Sequence, residues 1–527
     1  MRSREAAVKA AAPRTSGVLL HPTSLPTPFL CGDLGRGARN FVGWLKAAGF
    51  SHWQMLPVAP VGEAYSPYSS VSAFAGEELL ISLEDLAADG ILPRAALAAA
   101  KRESRSRGTG KQSTRVDYAR ATRIHCAALD AAFVHTRGDR ALTRALNRFA
   151  ATYKAWIDDF ALFRTLAQHH RTSDWTTWPE GVATRDPRTL AQAQTAHHEK
   201  CQRWIFGQFL FAEQWARLRK HAHAHGISLI GDIPIFVSHE SADVWSAQMF
   251  FKLDARGKPV VVAGCPPDRF NPDGQRWGNA LYDWTAMTRD KFRWWEKRFA
   301  HTLTMFDVVR LDHFIGFHRA WEIPASSPTA RKGKWQLVPG QQMFEQVIRS
   351  IGRLPLIAED LGLVTPEVTA LREAFAFPGM RIVQFGFSSG ADAPHHAPHN
   401  YTENSVAYSG THDMHTARGY VDRLQKERRN KSSAEELRRL TLWLGQPAND
   451  PAGLGQAICR ATLASASELA ILQAQDLLSL DDKARMNVPG TTSGNWNWRL
   501  SAGALQSPDQ TARSWKDLNE VYARTRS

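Results

Sequence analysis

The sequence predicts an α/β protein built as a (β/α)8 TIM barrel, with largely helical insertions at its C-terminal rim. Eight short apolar runs recur along the 527 residues, and each ends in polar or charged residues. Most of them are separated by enough chain for a helix and its loops. Continuous apolar runs of this length are typical of parallel strands buried on both faces, and eight of them indicate a closed barrel.

The predicted strands lie at residues 17–22, 52–58, 227–236, 306–313, 354–362, 380–387, 405–413 and 475–482. The gap between the second and third strands is too long for one crossover. Its Ala, Leu and Arg-rich text has apolar residues at three- and four-residue intervals, which predicts a mainly helical insertion.

This division predicts a disordered tail at 1–15 and a catalytic barrel at 16–527, with the helical insertion at 60–225 and further rim insertions at 240–300 and 415–470.

The composition is that of a globular protein, with 43% hydrophobic and 22% charged residues. No window approaches the roughly 18 apolar residues of a membrane span, and the N-terminus lacks the apolar stretch of a secretory signal. The five cysteines are far apart and form no CxxC pair, so neither a disulfide framework nor a zinc site is indicated. We therefore expect a cytoplasmic protein without a metal.

The chain carries a net charge of +14 and has a pI near 9.7, which raises nucleic acid as an alternative partner. The basic residues are concentrated at 101–115 and 426–439. The first segment is rich in Ser and Gly and is typical of a solvated linker, and the second is typical of a surface helix. Because no nucleic-acid motif accompanies them, we expect no nucleic-acid partner.

Three carboxylates follow predicted strands that are far apart in the sequence. Asp312, Glu359 and Asp413 stand just past the fourth, fifth and seventh strands. The C-terminal ends of barrel strands share one rim, where the chemistry of such barrels is carried out, so these side chains should converge. Each motif alone is more typical of a buried ion pair. Convergence favours an active site.

Crowded carboxylates in a partly dry pocket do not all ionise, so one tends to keep a proton while another stays charged. Cleavage of a glycosidic bond needs this combination, because one carboxylate attacks the anomeric carbon while a protonated one donates its proton to the departing oxygen. Arg310 lies two residues before Asp312 on the same side of the strand, where its guanidinium can keep Asp312 ionised. His412 is a natural donor to a sugar hydroxyl.

The chain resembles the 4-alpha-glucanotransferases, also called amylomaltases, which are relatives of the alpha-amylases. The resemblance runs from about Gly17 to Leu500. It is carried by the motifs SPYSSVSAFAG, GDIPIFVSHESADVW, AGCPPDRFNPDGQRWGNALYDW, RLDHF, WEIPA, IAEDLG, FPGMRIVQFGF, PHNY, GTHD and RMNVPGTTSGNWNWR.

This resemblance implies a barrel that acts on α-1,4-glucans without cofactor or metal. It implies Asp312 as the nucleophile, Glu359 as the general acid/base and Asp413 as the transition-state stabiliser. A covalent glycosyl-enzyme then predicts retention, with the carboxyl groups of Asp312 and Glu359 about 5 to 5.5 Å apart.

The resemblance also implies residues that bind the glucan. Those expected near the cleaved bond are Ser66, Tyr68, Asp232, Arg310, His313 and His412. A loop over the acceptor region is expected to contribute Asp268, Gln275 and Trp277. Tyr68 and Trp277 suit this role because an aromatic face packs on the apolar face of a pyranose.

The sequence departs from the family at several positions, namely Glu77, Glu78, Ile315, Ala320, Met414 and His415, and two of them change the surroundings of the site. Ile315 stands where Arg is usual, and His415 stands where Asp is usual, which together could remove an ion pair. The departures spare the three carboxylates. Three alternatives to a transferase remain: an amylase-type hydrolase, a non-catalytic glucan-binding protein and a nucleic-acid binder.

Overall fold

Short strands and many helices make up the computed structural model, which describes residues 14–62, 64–105, 114–267 and 271–525. The strands are β1 (Thr15–Leu19), β2 (His52–Gln54), β3 (Ser228–Ile233), β4 (Val261–Cys265), β5 (Gln275–Ala280), β6 (Val308–Leu311), β7 (Arg319–Pro324), β8 (Lys334–Leu337), β9 (Leu356–Ala358), β10 (Gly379–Ile382), β11 (Ser405–Tyr408) and β12 (Leu469–Gln473).

The helices before β6 are α1 (Arg36–Ala47), α2 (Leu83–Ala88), α3 (Arg94–Arg105), α4 (Tyr118–His135), α5 (Arg140–Thr152), α6 (Lys154–His170), α7 (Glu180–Ala183), α8 (Pro187–Ala196), α9 (His198–Ala224), α10 (Ala242–Ser246), α11 (Trp284–Arg289) and α12 (Arg293–Met305). Those after it are α13 (Gly340–Ile351), α14 (Pro366–Ala374), α15 (Ala393–His396), α16 (Ala417–Lys426), α17 (Lys431–Leu444), α18 (Pro451–Ala464), α19 (Ala474–Leu477) and α20 (Gln510–Val521).

Eight parallel strands close into a barrel in the order β1-β12-β11-β10-β9-β6-β3-β2, which confirms the predicted (β/α)8 fold. The interior is filled by side chains. Tyr408 on β11 donates its hydroxyl to Gln54 Oε1 on β2 at 3.0 Å, across strands that are not neighbours. Both residues are buried. The barrel is therefore a packed support for the rim, not a pore.

The eighth strand was predicted at the wrong place. Residues 475–482 do not form a strand: α19 covers the first of them and a 3-10 helix begins at Asp482. The strand is β12, immediately before, and it pairs with both β1 and β11. Two apolar runs adjoin here, and the earlier one is the run that pairs with both neighbouring strands of the barrel.

Helices α2 to α9 lie between β2 and β3, in the segment predicted to hold the helical insertion. The long helix α9 packs against α6 of the insertion and also contacts β3. Helices α16, α17 and α18 lie between β11 and β12 and share a small apolar core with Val383, Phe387, Tyr401 and Ala407. The predicted tail at 1–15 falls outside the described residues except at its end, where Thr15 belongs to β1.

A second, antiparallel sheet has the strand order β5-β4-β7-β8, and the sequence did not predict it. It assembles from segments on either side of β6. Gln275 and Trp277, which were expected on a loop over the acceptor region, lie on β5, which pairs with β4. Across the part of the chain that the structure covers, no helix has the length and apolar character to cross a membrane.

Candidate active site

A cleft of about 420 Å³ opens at the C-terminal ends of the barrel strands. Asp312 directly follows β6, Glu359 directly follows β9, and Asp413 lies in the loop after β11. The strand hydrogen bonding extends to Asp312 and Glu359. The N–H of Asp312 donates to Ile233 O and the N–H of Glu359 donates to Leu311 O, both at 3.0 Å. The three carboxylates therefore line one cleft.

The sequence-predicted residues that line this cleft are Ser66, Tyr68, Gln275, Trp277, Arg310, Asp312, His313, Glu359, His412 and Asp413. Asp232 does not line it but lies directly beneath, with a fully buried side chain. Asp268 falls outside the described residues.

Arg310 is the central cation of the site. Its Nη1 donates to both carboxylate oxygens of Asp232, at 2.9 and 2.7 Å, and its Nη2 lies 2.9 Å from Asp312 Oδ1. Asp232 and Arg310 are paired positions on β3 and β6, so their side chains leave the sheet on the same side. One guanidinium thus holds two carboxylates, of which the spacing in the sequence predicted only the contact with Asp312.

Tyr68 covers this ion pair from the loop after β2. Its hydroxyl donates to Asp232 Oδ2 at 2.7 Å, and its ring stacks on the His412 ring with centroids 5.0 Å apart. Burial raises the pKa of Asp232 to about 6, although the Arg310 charge opposes the shift. Asp232 thus accepts hydrogen bonds from both Arg310 and Tyr68 beneath the cleft.

Glu359 is set up to hold a proton. Burial raises its pKa well above the ordinary value; the Arg310 charge opposes this shift and the Asp312 charge adds to it. Its Oε2 accepts a hydrogen bond of 2.6 Å from the backbone N–H of His313. His313 has a left-handed backbone with φ of 50°, uncommon for a residue with a side chain, and such strain is often found at functional sites.

Asp413 is set up in the opposite way. Burial would raise its pKa, but the adjacent His412, whose Nε2 lies 3.4 Å from Oδ2, and a hydrogen bond of 2.6 Å from Asn487 Nδ2 outweigh that effect and hold the pKa well below its usual range. Arg485 also fixes the backbone, because its Nη2 donates to Asp413 O at 2.5 Å. Asp413 therefore stays charged.

Aromatic and imidazole rings form the walls. Trp277 lies edge-on to His313 with centroids 4.9 Å apart, and its Nε1 donates to Gln275 Oε1 at 3.1 Å. Burial lowers the pKa of His313 to about 4, so this ring is neutral at neutral pH and can either donate or accept a hydrogen bond. Trp277 stays 38% exposed, which leaves ring surface for a ligand.

The sequence reasoning missed several residues of the cleft. Asn487 and Trp496 both line it, the first bonded to Asp413 and the second packed 5.8 Å from the His412 ring centroid. Both belong to the motif RMNVPGTTSGNWNWR, which carried the family resemblance. The motif was the only signal, because no strand ends there and nothing local indicates which of its residues reach the cleft.

The structure shows what surrounds Ile315 and His415, the two departures from the family nearest the site. Ile315 is 3% exposed and packs in the main hydrophobic core. His415 Nδ1 lies 2.5 Å from Asp482 Oδ2, and Arg485 Nη1 is 3.5 Å from the same nitrogen. The apolar side chain of Ile315 is therefore buried among other apolar groups, and His415 has Asp482 as an acidic partner.

Comparison with known proteins decides the family. The family model of the 4-alpha-glucanotransferases, glycoside hydrolase family 77, matches residues 20–506. The chain belongs to this family. The resemblance inferred from the sequence motifs is confirmed, and so is the activity it implies, that of a 4-alpha-glucanotransferase.

Individual 4-alpha-glucanotransferases match over nearly the whole chain. The enzyme of Thermus thermophilus is 42% identical over 508 residues, which cover 95% of this chain and 97% of the relative. The chloroplastic/amyloplastic enzyme of Solanum tuberosum is 36% identical over 521 residues, which cover 97% of this chain and 86% of the relative. Among solved structures, an amylomaltase from Streptococcus agalactiae in complex with acarbose superposes with a TM-score of 0.90 at 33% identity, covering 97% of this chain and 100% of that one.

Proposed function

We propose that this 4-alpha-glucanotransferase works by a retaining, two-step transfer of α-1,4-glucan segments, with Asp312, Glu359 and Asp413 as its catalytic residues. The observation that carries the proposal is the division of charge among them. Arg310 holds Asp312 at 2.9 Å, whereas burial raises the pKa of Glu359 and the surroundings of Asp413 lower its pKa. A nucleophile, an acid and a charged stabiliser require this division.

In the first step, a carboxylate oxygen of Asp312 bonds to the anomeric carbon and the glycosidic bond breaks. Glu359 transfers its proton to the departing 4-oxygen, which leaves as the 4-hydroxyl of the released glucan. The product is a covalent glycosyl ester on Asp312. Asp413 accepts hydrogen bonds from sugar hydroxyls as positive charge develops on the ring, which stabilises the oxocarbenium-like transition state.

In the second step, the 4-hydroxyl of an acceptor glucan, or of glucose, gives its proton to the carboxylate of Glu359 and attacks the anomeric carbon. The ester bond to Asp312 breaks and the new α-1,4 bond forms. Two inversions give net retention. The reaction favours transfer over hydrolysis when the bound acceptor occupies the place that water would take.

The same proposal assigns glucan binding to the residues that form the walls of the cleft. The residues proposed to contact the glucan are Ser66, Tyr68, Gln275, Trp277, Arg310, His313 and His412, with Asp268 as a further contact and Asp232 acting from below. Trp277 has an exposed ring for a pyranose face, and the neutral His313 beside it offers a hydrogen bond to a hydroxyl.

Maltotriose tests the function directly. The protein should convert it to glucose and a ladder of longer maltodextrins without a rise in reducing ends. We expect Glu359→Gln to lower turnover by about 10²- to 10⁴-fold, the usual contribution of a general acid, and Asp312→Asn by at least as much.

Two substitutions of exposed acidic residues serve as matched controls. Glu367→Gln and Asp517→Asn remove carboxylates that are exposed at the surface and do not line the cleft, and they should leave turnover unchanged. A reaction that yields only hydrolysis products would favour the amylase-type alternative, and full activity of either cleft variant would refute the assigned roles.

We also propose that the protein acts in the cytoplasm. All five cysteines are free thiols, as expected in a reducing compartment. When cells that express the protein at its native level are fractionated, the protein should be recovered with cytoplasmic markers. Recovery with an extracellular or membrane fraction would contradict this location.

A further inference from the structure

A second cavity lies outside the cleft, where the helical insertion meets the barrel. Helices α5 and α6 of the insertion form one wall, and α9 and α12, which precede β3 and β6, form the other. Its volume is about 390 Å³, close to that of the cleft. We call it the aromatic cavity after the six rings that line it: Phe74, Phe149, Tyr153, Trp156, Phe211 and Trp215.

Four of these rings are only half buried, namely Phe74, Phe149, Tyr153 and Trp156. Phe74 and Trp156 stack nearly parallel, with centroids 6.2 Å apart and planes at 17°. Single exposed apolar side chains are common on protein surfaces and need no ligand. Several aromatic rings that share one concave space are different, because this arrangement is typical of a binding site.

The polar groups of the cavity indicate a neutral, hydroxyl-bearing ligand. Trp156 Nε1 is buried and has no hydrogen-bond partner among the described residues, so a ligand oxygen would satisfy it. Arg219 is already engaged, with hydrogen bonds to Asp307 and Thr304, and His223 is bonded to the same aspartate. Of the basic side chains that line the cavity, Arg219 and His223 are thus compensated by Asp307, and Lys220 is exposed to solvent, which disfavours a ligand bound mainly by charge.

The aromatic cavity is separate from the catalytic cleft, and the two share no lining residue among those that the structure describes. A small cavity of about 60 Å³ lies between them. Its walls include Phe74 and His301, which also line the aromatic cavity, and Tyr68 and Phe236, which also line the cleft. A ligand in the aromatic cavity would therefore contact the chain segment that carries Tyr68.

We propose that the aromatic cavity is a second α-glucan binding site, which holds about one or two glucose units of a chain outside the catalytic cleft. The C–H faces of the sugar pack on the half-buried rings, and a ring or hydroxyl oxygen accepts from Trp156 Nε1. The proposal rests on the substrate class of the family and not on the roles assigned to the three carboxylates.

Such a site would favour long substrates. A chain that occupies both the cavity and the cleft binds more tightly than one that reaches the cleft alone, because the second contact is intramolecular. Maltotriose has only three glucose units, so we expect it to occupy one site at a time. Loss of the cavity should therefore raise the KM for long glucans and spare the KM for maltotriose.

The test uses a variant that fills the cavity. Ala216 lies on α9 and lines the cavity, so Ala216→Trp places a large side chain there without removing an existing contact. Trp156→Ala is the second variant, because it removes a ring and the free N–H. We expect a several-fold rise in the KM for amylose with both variants, and unchanged kcat and KM for maltotriose.

Trp443→Ala is the matched control, since Trp443 is 42% exposed on α17 and lines neither cavity. It should change neither substrate's KM. An unchanged KM for amylose in Ala216→Trp would overturn the proposal, and so would an equal rise for both substrates, which would indicate a distortion of the cleft.

Crystals soaked in maltotriose provide an independent test of sugar binding in the aromatic cavity. Sugar density should appear in the aromatic cavity of the wild-type protein and be absent from Ala216→Trp. A wild-type cavity that stays empty while the cleft is occupied would overturn the proposal. Neither experiment depends on which carboxylate attacks the sugar, so the proposed mechanism can fail without affecting this result.

Discussion

Arg310 is the residue on which the charge pattern of the cleft depends. Its guanidinium bonds Asp232 through Nη1 and reaches Asp312 through Nη2. Lysine has a single charged nitrogen and cannot reproduce this fork. Arg310→Lys should therefore release Asp312 from its position, and we expect kcat/KM for maltotriose to fall about 100-fold, the usual cost of misplacing a reacting group by about 1 Å.

Arg331→Lys is the control for this substitution, because Arg331 pairs with Asp273 at the surface and both side chains are more than half exposed. It should retain full activity. If Arg310→Lys also retained full activity, the guanidinium would not be what positions the nucleophile.

Asn487 helps His412 to keep Asp413 charged and gives a prediction with a definite sign. Its amide donates to Asp413 Oδ1 at 2.6 Å and helps to hold the pKa of that carboxyl well below its usual range. Asn487→Asp replaces the donor with a second carboxylate. Two carboxylates so close do not both ionise easily, so the pKa of the pair rises.

Because the proposed mechanism needs Asp413 ionised, activity is lost as the pH falls through its pKa. The acid limb of kcat/KM should move to higher pH by at least about one unit in Asn487→Asp. Asn487→Ala removes only a hydrogen bond and should move it less. A pH profile identical to the wild type in Asn487→Asp would show that Asp413 does not need its charge.

Among the secondary-structure elements, the hairpin of β4 and β5 brings Trp277 over the cleft. The tryptophan is 38% exposed and lies beside His313, in reach of a bound sugar. We expect Trp277→Ala to raise KM about fivefold and to change kcat little, because loss of an aromatic contact of about 1 kcal/mol weakens binding without removing a reacting group.

Trp335 on β8 of the same sheet provides the comparison. It packs on Trp321 and under the Arg319 guanidinium, away from the cleft. Trp335→Ala should leave KM unchanged. Equal effects of the two substitutions would mean that the sheet as a whole, and not the Trp277 ring, matters for binding.

The elements differ in how far the sequence could predict them. The barrel strands other than the last were found because each is an apolar run that ends in polar residues. The last was misplaced because residues 469–473 and 475–482 are adjoining apolar runs, and only pairing with β1 and β11 distinguishes them. The antiparallel sheet of β5, β4, β7 and β8 was missed because strands such as β5 (Gln275–Ala280) are largely exposed and carry no apolar pattern.

In the whole molecule, the parallel barrel is what made the site predictable. Asp312 and Glu359 could be placed together from the sequence because the C-terminal ends of parallel strands meet at one rim, whatever their separation along the chain. Asn487 could not, because it reaches Asp413 from a loop whose path depends on the packing of many residues. The aromatic cavity could not either, because it forms only where the insertion and the barrel meet.

The central claim is that Asp312 becomes covalently glycosylated, and trapping the adduct tests it most directly. Glu359→Gln should be treated with α-maltotriosyl fluoride, whose fluoride leaves without a proton from Glu359. The ester then forms but is not released, because no base activates the acceptor. Mass spectrometry should find one maltotriosyl group on the peptide that contains Asp312. Release of fluoride without any adduct, or a sugar on another residue such as Asp413, would contradict the account.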